Sequence, residues 1–124
     1  MKPIELVEKY MECLYDTGDL TEMRKVLADN LHFKGTYSEH DTAEEYIEGF
    51  EGEDMSAFSY NMLYTFEKDN TVCFIYNLLK PSGPLEMAQV FEIEEGKIKN
   101  ILLLFDGREF DDIEEIEDED DWNL

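Results

Sequence analysis

Three side chains stand where their neighbours make them chemically informative. His32 lies in the alternating segment LHFKGTY of residues 31–37, and imidazole is the side chain whose ordinary titration range suits proton transfer near neutrality. Asp106 ends the apolar run ILLLF of residues 101–105, where apolar neighbours would raise a carboxyl pKa toward that of a general base. Each has a plain alternative: His32 as a partly exposed strand histidine, Asp106 as the start of an Asp-Gly-Arg turn in which it caps the strand or pairs with Arg108. Gln89 interrupts the apolar alternation of Met87, Phe91 and Ile93, and a buried amide must find partners. It either lines a pocket or is satisfied elsewhere. Cys13 and Cys73 sit in apolar segments without the base or positive setting that a thiolate needs, so they read as small buried hydrophobes. Neither His32 nor His40, the latter in the acidic run SEHD, forms a metal constellation with spaced carboxylates, and neither a metal nor a cofactor is expected.

These residues need elements to hold them. Ile4, Val7, Met11 and Leu14 recur at helical spacing, which predicts a first helix over 3–16 that ends at Gly18, with Tyr10 beside the inward stripe. Asp19 and Glu22 have capping-box spacing ahead of Leu20, Met23, Val26 and Leu27, so a second helix follows. A short strand over 31–37 comes next, then a third helix over 42–51 opened by Thr42 and Glu45. From residue 56 the period becomes two. Phe58, Tyr60, Met62, Tyr64 and Phe66 share one predicted strand face, residues 71–79 are apolar on both faces, and strands over 85–93 and 98–105 meet at the turn around Gly96. The fold class is α+β, with helices on one side of a curved antiparallel sheet.

With 124 residues, 43% of them apolar, the chain makes one domain with a real core over 1–110. Residues 111–124 hold nine acids and no base, and read as a solvated, partly disordered tail. Alternatives are a docked helix carrying Phe110, Ile113, Ile116 and Trp122, or a segment that binds a basic partner. A net charge of -22 disfavours nucleic acid and anionic membrane. There is no apolar leader or spanning stretch, and two distant cysteines suit a reducing cytoplasm. Three short helices cover only one face of a sheet, so Leu102 and Leu104 are expected to meet a second copy in a homodimer, the alternative being that the C-terminal tail folds back over part of that face.

The element order and several segments resemble the nuclear transport factor 2-like superfamily. LVEKYMECLYDTGDLTEM looks like the opening helix of its ketosteroid isomerase and SnoaL-like cyclase branches, DTAEEYIEGF is similar to their third helix, and FEIEEGKIKNILLLFD to their closing hairpin. The resemblance spans residues 3–106 and implies a cone: three helices in the concavity of a strongly bent sheet, around a pocket. It puts Tyr10 at the oxyanion-hole tyrosine of the isomerase and Gln89 at its second, acidic oxyanion donor. The isomerase's general base would fall near Lys34 or Gly35, which cannot serve as that base, so steroid isomerisation does not carry over. The implied function is a small-molecule-binding domain, in which Tyr10, Tyr60 and Gln89 contact an apolar or aromatic ligand. A cofactor-free isomerase, cyclase or dehydratase using Tyr10 as electrophile and His32 or Asp106 as base is one alternative, and a noncatalytic interaction module is the other.

Overall fold

The structure, a computed structural model, describes residues 2–51 and 58–106. Helix α1 spans Pro3–Met11 and runs directly into a π-helical stretch, Glu12–Thr17, that stops at Gly18 with φ 69°. Widening the helix there has a consequence for packing: Cys13, Leu14 and Tyr15 are all buried in succession, which an α-helical turn on a surface does not allow. Helix α2, Leu20–Val26, is capped by the Asp19 side chain, which accepts from the Glu22 amide at 3.1 Å. Helix α3, Ala43–Glu48, is capped in the same way by Thr42 from the Glu45 amide at 3.1 Å.

Six strands follow and interleave: β1 Leu27–Lys34, β2 Glu39–His40, β3 Ser59–Lys68, β4 Thr71–Lys80, β5 Gly83–Glu94 and β6 Lys97–Phe105. They form one curved sheet in the order β2-β1-β6-β5-β4-β3. Strands β3 to β6 are an antiparallel meander, and the β5–β6 turn places Glu95 and Gly96 both at positive φ, as a two-residue type I′ hairpin requires. The long excursion through α3 and the meander lets β1 lie parallel to β6. The helices pack on one face of the sheet, α1 across β4 and β6 and α3 against β1, and the core lies between.

Two elements depart from the reading of the sequence. The first strand was expected at 31–37 but begins at Leu27, immediately after α2. Val26 and Leu27 fit the helical stripe as well as a strand, and a bulge between Leu27 and His32 masks the alternation that would have announced β1. The second concerns the aromatic row of β3. A register shift between Met62 and Tyr64 splits it, so Tyr60 and Met62 pack on the core while Tyr64 and Phe66 are 59% and 56% exposed on the opposite face. The acidic segment 111–124 lies outside the described residues.

Candidate functional site

Gln89 organises the site. Its place on the inward face of β5, opposite Phe74 of β4 and Leu103 of β6, leaves it 1% exposed, and it is the one buried side chain outside the apolar and aromatic set among the described residues. The amide Nε2 donates to the Tyr76 hydroxyl at 2.7 Å, and that hydroxyl lies 3.2 Å from the hydroxyl of Tyr15. The chain runs from β5 through β4 to the π-helical stretch. Tyr60 of β3 lies against it, with its ring 5.2 Å from that of Tyr15 and 5.7 Å from that of Tyr76.

A second pair lies beside the first. Tyr10 of α1 and Tyr46 of α3 are both fully buried and share a hydrogen bond through their hydroxyls. The Tyr10 ring stands edge-on to Phe91, two residues along β5 from Gln89, while Tyr46 packs on Phe33 at 4.5 Å. Burial is the main cause of the raised pKa of all four of these phenols: it drives Tyr10, Tyr15 and Tyr46 well above the usual range and pushes Tyr76 up to about 12, partly offset at Tyr76 by the bonds from Tyr15 and Gln89. The interior therefore offers neutral hydroxyls and one neutral amide, with rings between them. It can orient and hydrogen-bond a small molecule, and among the described residues no buried carboxylate or imidazole stands in it.

The structure thus gathers Tyr10, Tyr60 and Gln89, and adds Tyr15, Tyr46 and Tyr76 to them. Tyr15 could have been read from the chain, because it stands four residues after the buried Met11 on the same helical face. Tyr76 was hidden in a segment apolar on both faces; its alternation with Val72, Phe74 and Leu78 was the available signal. His32 is not brought to the tyrosines. Leu31 and Phe33 take the inward positions of β1, so His32 turns to the other face, where Nε2 meets Glu39 at 3.1 Å and Nδ1 meets Asp41 at 3.0 Å. Asp106 lies exposed just past β6.

His32 thus has carboxylate neighbours after all, supplied by β2 and the residue after it. The two carboxylates address different ring nitrogens, and one ligand atom from each of His32, Glu39 and Asp41 lies within 4.8 Å of the others. Burial raises the thiol pKa of both Cys13 and Cys73, which keeps them protonated. A surface depression of about 750 Å³ at the β1 bulge collects Arg24, Lys25, Lys97 and Lys99, away from the tyrosines. Asp29 and Glu22 already pair with Arg24 and Lys25 there.

Comparison with known proteins fits this geometry. The family model described as SnoaL-like domain matches residues 7–101. An NTF2-like protein of unknown function from Cytophaga hutchinsonii superposes with a TM-score of 0.76 at 23% identity, covering 89% of this chain and 95% of that one. An NTF2-like protein of unknown function from Burkholderia pseudomallei gives 0.74 at 14%, over 87% and 93% of the two chains. An LEH-like epoxide hydrolase of M. tuberculosis gives 0.70 at 18%, over 86% and 84%. At these identities the likeness is one of fold. No curated protein matches the chain in sequence.

Proposed function

Because the chain belongs to the SnoaL-like domain family, within the NTF2-like superfamily, we propose that it binds a small, largely apolar or aromatic molecule in the concavity of the sheet. One observation carries the reading: two adjacent hydrogen-bonded groups, Gln89–Tyr76–Tyr15 and Tyr10–Tyr46, stand in an otherwise apolar interior, where polar groups are kept only at a cost in stability. Gln89 and Tyr60 contact the ligand in this reading, Tyr10 lies deeper, and Tyr76 and Tyr15 orient the amide. The LEH-like epoxide hydrolase is an enzyme on the same fold, yet a shared scaffold does not transfer chemistry. Binding is preferred to proton transfer because His32 stands with Glu39 and Asp41 on the other face of β1 and Asp106 lies exposed just past β6. The interaction-module alternative turns on the segment 111–124, and deleting it should leave ligand binding unchanged.

The test is a titration of isotope-labelled protein with acetophenone and benzamide, followed by NMR. Shifts should concentrate at Tyr76 and Gln89, and Tyr76→Phe should weaken them. If neither probe moves those signals, the reading fails.

A second observation supports a partner. On the outer face, Tyr64, Ile75, Ala88 and Leu104 stand in register across four strands, and Phe66, Cys73, Val90 and Leu102 form the next row. Such a contiguous apolar surface suits a second copy of the chain, and we propose a homodimer through it. Among the described residues, no helix is long and apolar enough to cross a membrane.

A further inference from the structure

We propose that the molecule bound at this site is neutral and gives a hydrogen bond to Gln89, so that the protein amide is the acceptor and the ligand the donor. The inference rests on the binding reading and specifies the chemistry of what binds. A glutamine amide has two N–H donors and an oxygen with two lone pairs. In Gln89 the nitrogen is engaged by Tyr76, while Oε1 has no hydrogen-bond partner. Buried carbonyl oxygens in native proteins are seldom left this way.

Among the described residues, its surroundings do not supply the missing donor. The cross-strand neighbours Phe74 and Leu103 are apolar, as are Met87 and Phe91 on the same face of β5. Tyr76 and Tyr15 contact each other, and Tyr10 is engaged with Tyr46. A donor brought by the ligand completes the set. Charge narrows the class further: no charged side chain is buried among the described residues, so a carboxylate or an ammonium would enter without a counter-charge. The tyrosine rings around the amide favour a flat, apolar body. Together these describe an uncharged amide, lactam, phenol or enol, with its N–H or O–H directed at Gln89. Half-buried Tyr60 links this set to the surface and marks where such a molecule would enter.

Three probes of similar size separate the possibilities in the full chain: benzamide, with N–H donors and a carbonyl; acetophenone, with the carbonyl alone; and benzoate, an anion. Followed through the Gln89 side-chain amide and the Tyr76 signals, benzamide should bind at least about five-fold more tightly than acetophenone, and benzoate should leave these signals in place. Gln89→Met should erase the preference for benzamide. Acetophenone binding as tightly as benzamide overturns the polarity assigned to Gln89 and leaves the binding reading standing; that is the outcome if the amide presents its nitrogen to the ligand. Benzoate binding at these residues overturns the neutrality. If no probe moves Gln89 or Tyr76, the binding reading itself falls, and this inference with it.

Discussion

The two faces of the sheet are built from the same strands and invert the usual distribution of polarity. The concave face, covered by helices, holds an amide and four hydrogen-bonded hydroxyls in its core. The opposite face carries Tyr64, Phe66, Leu102 and Leu104 in the open, with Leu104 52% exposed. Burying polar groups and exposing apolar ones both cost stability, so each face points to an interaction that the isolated fold does not complete. On the inner face the proposed partner is small and makes directional bonds. On the outer face the proposed partner is broad and apolar.

Breaking the outer face should have the largest effect. Leu102→Glu combined with Leu104→Glu puts two carboxylates into the proposed interface, and the chain should run as a monomer in light scattering at concentrations where the parent is dimeric. A parent that is itself monomeric ends the dimer proposal.

The inner face is probed next by cavity formation. Phe91→Ala removes the ring against which Tyr10 stands and should cost about 3–5 kcal/mol in denaturant unfolding. A loss below about 1 kcal/mol would mean that the cluster is loosely packed, and would weaken the case for a preorganised site.

An alkaline titration separates the faces by chemistry. The folded pKa of Tyr76 is pushed up to about 12, above the ordinary phenol value of 10.0, chiefly by burial. Its contribution to stability is therefore complete below about pH 10 and is lost as pH rises through about 12. Tm should fall across that window while tyrosinate absorbance from the buried rings lags behind. A flat Tm from pH 9 to 12 contradicts the burial of the cluster.

The smallest effect belongs to Tyr64→Thr. Monomer unfolding should change by no more than about 0.5 kcal/mol, because the ring is mostly in solvent, while dimer affinity falls. Loss of monomer stability instead would place Tyr64 in the core and erase the contrast between faces.

Much of this architecture is legible in the residues. The Asp19 and Thr42 caps, the apolar stripe from Ile4 to Leu14 and the hairpin at Gly96 depend on contacts a few residues apart, and their types and spacing appear directly in the chain. The start of β1 and the split aromatic row of β3 were not legible. A bulge is one residue inserted against a partner strand, and it shifts which face every later side chain occupies without altering the alternation itself.

The candidate site divides in the same way. The sequence by itself determined that Gln89 is an amide in an apolar strand and that Tyr10 lies beside the buried stripe of the first helix, because both follow from local periodicity. Only the tertiary structure decided that Tyr15, Tyr46 and Tyr76 join them, that His32 turns away to Glu39 and Asp41, and that Gln89 keeps an oxygen without a partner. Those outcomes depend on a π-helical turn, on strand register and on which elements meet across the core. Such contacts join residues as distant as Tyr15 and Tyr76, and no local pattern encodes which of them will meet.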